Sequence, residues 1–464
     1  MTTQPIDPHI FRAYDIRGKA HSQLSVDACR SIGAAFGTVL RRKTKKDHPT
    51  VIVGRDARTH GPELQAALIE GLTSTGCAVE EIGETPSPVN YFTICHRKAD
   101  GGVHVTASHN PKEDNGLKLC TASAEAYSGE DIQTLRKMIE KKDFEAGKGS
   151  VTPIDAAKPY IAHVSALFAG CGEGMLVAID AGNGIAGPVN NEVLVRVGAK
   201  VIELFTEPDG TFPNHAADPS KAETLKDLQD AVLQQDAHVG LAFDGDGDRL
   251  GLVDENGVIR TADEVLLLLA RDHLSRHPKA PVVFTVSNSG TLASEIAAWG
   301  GTPVQCKVGH SFVEHAMSEA GALLGGEQSG HFFCGEDYYP FDDALAAGLR
   351  VLTILKQSSK TLSELMAVFP KVYQAPEKRP HCADDAKGRV IAAVIAHFQK
   401  DFDVTTLDGA RIEFGEGAWA GIRQSNTSPC LSVCLEARSP ERLKEIEQLV
   451  VDHLRTYPEV DFTK

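Results

Sequence analysis

The chain has no paired cysteine motif. Its ten cysteines are scattered, with only Cys430 and Cys434 close together, so neither a disulfide framework nor a zinc site is supported and reduced thiols are expected. Long apolar runs are missing too. The richest, VLLLLA at 265–270, falls far short of the roughly 20 residues a membrane-spanning helix needs. The opening MTTQPIDPHI has no basic region followed by an apolar stretch, so no secretory signal is expected and the compartment expected is the cytoplasm. Positive charge is in deficit: the net charge of −16 argues against a general nucleic-acid surface, though not against a local basic pocket for an anionic metabolite.

At 464 residues the chain is long enough for about three or four domains. A hydrophobic content of 42% with 24% charged residues is that of a soluble globular protein. Its most informative stretch is FDGDGDR, residues 243–249. Asp244, Asp246 and Asp248 alternate with Gly245 and Gly247, and three such carboxylates repel one another unless a cation neutralises them. Hard oxygen ligands suit Mg²⁺ or Ca²⁺, and Arg249 adds a fixed cation of the kind that pairs with phosphate. The preceding apolar segment, Asp236 to Phe243, reads as a buried strand, which places the loop where ligands bind in open α/β sheets. Three other readings compete. An EF-hand would use Glu255 at its twelfth position, but Arg249 stands where a glycine should. The others are an aspartyl-phosphatase nucleophile and a solvated acidic turn.

GGVHVTASHNP (101–111) is the second such stretch: Val103 and Val105 alternate like a strand, then a small polar loop presents Ser108 beside His109 and Asn110. Ser108 either caps a turn or offers an exposed hydroxyl for chemistry, and no G-x-S-x-G elbow surrounds it. Lys118 follows closely enough to approach a substrate oxygen. FRAYDIRG (11–18), with Arg12, Tyr14, Asp15 and Arg17, reads as a surface turn or an anion-binding loop. TVIVGRDAR (50–58) reads as a strand running into a polar turn, followed by a helix over 62–74 with Leu64, Leu68 and Leu72 on one face.

Strand-turn-helix units then recur. MLVAIDAGNGIAG (175–187) is a strand ending in a glycine turn that weakly suggests a dinucleotide loop. A helix over 222–235 leads to the aspartate strand. The helix over 262–275, strand 281–286 and helix 291–299 restart the pattern. Glu327, Ser329 and His331 alternate in GGEQSGHF, so an extended backbone would direct all three one way, a row able to grip sugar hydroxyls. GKGSVTP (147–153) and 370–380 read as linkers. The last block, with a helix over 386–399 and strands near 411–414, 418–422 and 431–437, encloses RQSNTSP (423–429), whose Arg423, Ser425, Asn426 and Thr427 make a plausible phosphate cup.

In this order FRAYDIRG, TASHNP, DGDGDR, GEQSGH and RQSNTSP resemble the α-D-phosphohexomutases, most closely their phosphomannomutase/phosphoglucomutase branch, over essentially the whole chain. The resemblance implies three successive α/β domains with mixed, mostly parallel sheets (1–152, 153–256, 257–370) and a smaller C-terminal α+β domain (371–464) around a central cleft. It implies isomerase activity on hexose 1- and 6-phosphates of mannose or glucose, through phosphorylated Ser108 and a hexose 1,6-bisphosphate. Ser108, Asp244, Asp246 and Asp248 would hold Mg²⁺. Arg17, His109, Lys118, Arg249 and His331 would do the transfer chemistry. Tyr14, Lys307, His310, Glu327, Ser329, Arg423, Ser425, Asn426 and Thr427 would bind substrate. Phosphosugars are the expected partners, with no nucleic acid and no membrane, and the expected state is a monomer or weak homo-oligomer. Ser287 stands where some branch members carry a lysine, and GEQSGH also resembles the phosphoglucosamine mutases, the first alternative activity; a Mg²⁺-dependent sugar-phosphate phosphatase and a non-catalytic sugar-phosphate-binding protein are the others.

Overall fold

The structure, a computed structural model, describes residues 6–425 and 428–463. Two compact units divide the chain: Met1–Val265 with Ser329–Leu365, and Leu266–Gln328 with Met366–Lys464. Among the described residues no helix is long and apolar enough to cross a membrane.

Two sheets organise the first unit. The first has six strands in the order Ile16–Lys19, Asp114–Thr121, Gly101–Val105, Thr50–Arg55, Ala78–Glu84 and Ser150–Pro153. Its first two pairings are antiparallel and the other three parallel. β-Branched residues fill its centre, where Val51, Val53, Val103 and Val105 are buried without exposure. Helices Val26–Thr44 and Gly61–Ser74 cover it, the latter through the expected face of Leu64, Leu68 and Leu72. Their backbones meet so closely that a Cβ on Gly71 would lie 2.0 Å from the Arg30 carbonyl oxygen, so only glycine fits there. The stretch expected to be a linker at 147–153 instead supplies the edge strand Ser150–Pro153. All four of its residues are exposed, so no alternation of apolar residues marked it as a strand.

The second sheet runs Ile259–Arg260, Leu250–Asp254, Val239–Phe243, Leu176–Asp180, Lys200–Leu204. Val239–Phe243 is parallel to Leu176–Asp180 and pairs antiparallel with Leu250–Asp254, so FDGDGDR is the connection of a β-hairpin. That arrangement overturns the EF-hand alternative, which requires helices on both sides. The helix expected over 222–235 is a 3₁₀ turn, Ala222–Leu225, followed by an α-helix, Lys226–Gln234. GNGIAG (182–187) has the spacing of a dinucleotide loop, but its glycines serve a different contact. A Cβ on Gly184 would sit 2.9 Å from the carbonyl oxygen of Asp244, so the turn lies directly against the acidic loop.

In the second unit, parallel strands Pro281–Thr285, Thr302–Cys306 and Leu324–Gly326 alternate with helices Gly290–Ala298 and His310–Ala320. An antiparallel sheet follows, ordered Tyr373–Gln374, Leu431–Ala437, Trp419–Gln424, Ala410–Glu413, Asp403–Thr405, with helices Asp384–Phe398 and Pro440–Leu454. Tyr373–Gln374 lies inside the expected linker 370–380, which therefore closes one edge of this sheet.

Candidate active site

In the first unit the ends of two sheets bring the serine and aspartate loops into contact. Ser108 is 1% exposed and stands at φ +52, in the left-handed region that non-glycine residues seldom occupy. The expectation of an exposed hydroxyl is thus corrected. The loop turns back against the aspartates, and Ser108 Oγ donates to Asp244 Oδ2 at 2.6 Å and lies 3.1 Å from His109 Nδ1.

Asp244, Asp246 and Asp248 are all fully buried, which removes the solvated-turn reading. Asp244 Oδ1 accepts the main-chain N–H groups of Gly247, Asp248 and Arg249 at 3.0, 3.1 and 3.2 Å, and so pins its own loop. Lys118 Nζ donates to Asp246 Oδ2 at 2.6 Å and also to Asp248 Oδ2. Asp246 Oδ2 takes a further hydrogen bond from Ser87 Oγ at 2.6 Å, whereas Asp246 Oδ1 is buried with no hydrogen-bond partner. Burial, with Asp248 and Asp246 beside it, pushes the Asp244 carboxyl well above the usual carboxylate range. For Asp246, burial acts upward but is outweighed by the Lys118 ammonium and by the bonds from Lys118 and Ser87, which hold it well below that range.

Lysine 118 cannot balance three buried carboxylates alone. One oxygen from each aspartate comes within 4.8 Å of the others, and with the open Asp246 Oδ1 this donor set fits a hard divalent cation.

Cations line the other side. Arg17 Nε pairs with Asp15 at 2.6 Å, and its NH1 reaches Ala107 O at 3.2 Å and Asn110 Oδ1 at 3.1 Å. FRAYDIRG is therefore no surface turn at this position, since Arg17 is buried against the serine loop. Tyr14 beside it is half-buried. Arg249 Nε lies 4.0 Å from Asp244 Oδ2 and donates to His331 Nε2 at 3.0 Å. Burial, then Arg249 and Arg17, hold the His109 imidazole well below the usual histidine range.

His331 faces Asp342 through Nδ1, 2.8 Å from Oδ2, with Asp248 Oδ1 at 3.6 Å. Asp342 and Ser87 were not singled out in the sequence. Ser87 lies 159 residues from the aspartate it contacts and Asp342 only 11 from His331, and neither sits in a segment (ETPSP, DYYPFDD) whose composition marks it. The alternation of Glu327, Ser329 and His331 does not produce a row. Residues 328–330 form a turn, with Gly330 at φ +93, and extended backbone resumes only at His331.

Other candidates belong to the second unit. Glu327 Oε2 accepts the N–H of Gly309 at 2.9 Å, fastening the loop that carries exposed Lys307 into the helix that His310 begins. Arg423 is half-buried at the end of its strand, and its Nε is buried with no hydrogen-bond partner. Ser425 Oγ accepts from Arg379 at 3.0 Å, and Lys387 Nζ donates to the carbonyls of Ser425 and Ser428 at 3.0 and 2.6 Å. Asn426 and Thr427 lie outside the described residues.

Comparison with known proteins accounts for this combination. The family description "Phosphoglucomutase/phosphomannomutase, alpha/beta/alpha domain I" matches residues 8–146, that of domain II 158–257, that of domain III 261–373, and that of the C-terminal domain 377–453. The phosphomannomutase/phosphoglucomutase of Pseudomonas aeruginosa is 40% identical over 447 residues, covering 96% of this chain and 95% of that one. A Neisseria gonorrhoeae phosphoglucomutase is 39% identical over 443 residues, 94% of this chain and 95% of its own. The crystal structure of a phosphoglucomutase/phosphomannomutase family protein from Burkholderia thailandensis superposes with a TM-score of 0.91 at 36% identity, covering 98% of this chain and all of that one. Three α/β domains and a C-terminal domain, in that order, make this chain a member of the phosphoglucomutase/phosphomannomutase family.

Proposed function

We propose that this isomerase interconverts hexose 1-phosphates and hexose 6-phosphates of mannose or glucose through phosphorylated Ser108 and a hexose 1,6-bisphosphate. The observation that carries the reading is the buried hydroxyl of Ser108, held 2.6 Å from Asp244 amid Lys118, Arg17 and Arg249. Phosphoryl transfer demands alignment and charge neutralisation more than covalent chemistry.

In the first half-reaction the bond between phosphorus and Ser108 Oγ breaks while the free hydroxyl oxygen of the sugar monophosphate bonds phosphorus. The hydroxyl's proton passes to a base, a role this reading gives to His331, whose Nδ1 faces Asp342. As it leaves, Ser108 Oγ takes up a proton, for which Lys118 is the second candidate; the charge that its two aspartates hold on Lys118 also stabilises the negative transferring group. After the bisphosphate turns end for end, its other phosphoryl group returns to Ser108 by the same exchange in reverse. Asp244, Asp246 and Asp248, with the serine, would hold Mg²⁺, which when bound supplies charge neutralisation to the transferring group. In this reading the phosphoserine and acidic loops come from domains 1–152 and 153–256. Glu327, Ser329, Lys307 and His310 of domain 257–370 grip the sugar, and domain 371–464 anchors the phosphate that is not transferred.

Incubation with mannose 1-phosphate or glucose 1-phosphate, Mg²⁺ and a trace of bisphosphate, followed by phosphorus NMR, tests the activity. Competition among mannose, glucose and glucosamine phosphates ranks the substrates. No 6-phosphate product from any of the three would defeat the proposal.

Arg423 gives a separate prediction. Its guanidinium forms charge-assisted, paired contacts with phosphate, so Arg423→Ala is expected to lower kcat/KM by about 10- to 100-fold for the 1-phosphate and the 6-phosphate alike. Arg423→Lys should recover only part, because an ammonium lacks the planar fork. A loss confined to one substrate would contradict a shared anchor.

A further inference from the structure

GRDAR, residues 54–58, has so far had no role beyond ending a strand. Two of its three charged residues, Asp56 and Arg58, are each 1% exposed, and both reach the loop that carries Ser108. Arg58 uses its guanidinium almost entirely on main-chain carbonyls of that loop. NH2 donates to Ser108 O at 2.9 Å and Asn110 O at 2.6 Å, and NH1 donates to Pro111 O at 2.7 Å and Asp114 O at 2.9 Å. Nε returns to Asp56 Oδ2 at 3.2 Å, and Asp56 Oδ1 accepts the Arg58 N–H at 3.0 Å.

Asp56 reaches Ser108 by a second route. Thr106 Oγ1 donates to Asp56 Oδ2 at 2.7 Å and accepts the N–H of Ser108 at 2.8 Å. The N–H and the C=O of Ser108 are thus both tied to one buried ion pair, by Thr106 on one side and Arg58 on the other. The clamp is itself covered: the Phe212 ring centroid lies 5.3 Å from Arg58 Cζ, and a Cβ on Gly210 would come within 2.2 Å of Ala57 O.

A residue with a side chain holds φ +52 only where its surroundings impose it. Relaxation of Ser108 to the common regions would swing Oγ away from Asp244 and His109. We propose that the Asp56–Arg58 pair is the device that imposes this conformation, making both residues positioning residues for phosphoryl transfer at Ser108. The inference rests on the reading of Ser108 as the residue that carries the phosphoryl group. A guanidinium is needed because four carbonyls in two directions require its planar set of donors, which a lysine cannot present.

The test uses full-length, dephosphorylated wild type, Arg58→Lys, Arg58→Met and Thr106→Val, with glucose 1,6-bisphosphate as phosphoryl donor. Intact-protein mass follows phosphorylation of Ser108 with time, and steady-state assays give kcat and KM for glucose 1-phosphate. Phosphorylation and kcat are expected to slow together by about 10- to 100-fold in the Arg58 variants and about tenfold in Thr106→Val, with KM nearly unchanged. A merely structural role would lower the melting temperature and leave the phosphorylation rate of the folded fraction at the wild-type value, which would overturn the proposal. Should the Arg58 variants fail to fold, Thr106→Val decides, since it cuts one arm of the clamp with little change of volume. Wild-type phosphorylation by that variant would refute the clamp while leaving the phosphoserine reading intact. A wild-type protein that takes no phosphoryl group would remove the phosphoserine reading and the clamp together.

Discussion

Ser108→Ala is expected to lower turnover of glucose 1-phosphate by about 10⁴-fold or more, the scale on which removal of a covalent nucleophile is felt. The loss should fall on kcat, because the hydroxyl contacts Asp244 and His109 and its removal leaves Arg17, Lys118 and Arg249 in place. No neighbour can substitute. Asp244 Oδ1 is tied by three main-chain N–H groups, and His109 Nδ1 lies 3.1 Å from the serine oxygen that the substitution removes. Stability should fall by about 1–3 kcal/mol, since one neutral donor to a buried carboxylate is removed. Intact-protein mass after incubation with glucose 1,6-bisphosphate should show one added phosphoryl group on the wild type and none on the variant. Turnover by the variant at the wild-type rate would exclude the covalent route.

The second large effect is expected at Asp246. Asp246→Asn keeps the size of the side chain but removes one of three buried negative charges, and it takes from Lys118 one of its two carboxylate partners. Asp246 is the better probe than Asp244, whose Oδ1 organises the loop backbone, because Asp246 Oδ1 has no hydrogen bond to lose. Mg²⁺ affinity is expected to fall by about 100-fold, since charge count among the ligands tunes affinity over decades. kcat should fall by a comparable factor. Calorimetric titration of Mg²⁺ measures the first directly. Mg²⁺ should also raise the melting temperature of the wild type more than that of the variant, as a ligand specific to the folded state must. Equal affinity in the two proteins would refute the aspartate loop as the metal site. Ca²⁺ should bind the wild type yet support little turnover, because its looser geometry leaves the phosphoryl group poorly aligned.

Much of this site was legible in the sequence because the chemistry is carried by short runs. DGDGDR places three carboxylates and an arginine within six residues, and TASHNP places the serine, histidine and asparagine side by side. A run of this kind survives in any fold that puts it at a strand end, so composition and spacing were enough to nominate its residues. Where a reading depended on backbone conformation it was less secure. The alternation of Glu327, Ser329 and His331 implies a shared face only if the backbone is extended, and a turn at 328–330 removes that premise. Two expected linkers became edge strands because edge pairing needs only free N–H and C=O groups, which every sequence has.

The sequence by itself determined the alternating strand–helix order, the family and the nature of each reacting group, since all of these depend on local pattern and residue type. Tertiary structure alone decided which groups meet. Ser87 is 159 residues from Asp246, and Lys118 is 128 residues from the same carboxylate, yet both lie 2.6 Å from it. Arg58 reaches Ser108 across 50 residues, and Arg249 reaches His331 across 82. Such contacts are set by sheet register and by the close approach of loops from different sheets, as where a Cβ on Gly245 would lie 2.5 Å from the Ser108 carbonyl oxygen. Burial then changes what each group is: the same aspartate type is pushed upward at 244 and held down at 246, because, of these two, it is Asp246 that accepts hydrogen bonds from the Lys118 ammonium and the Ser87 hydroxyl.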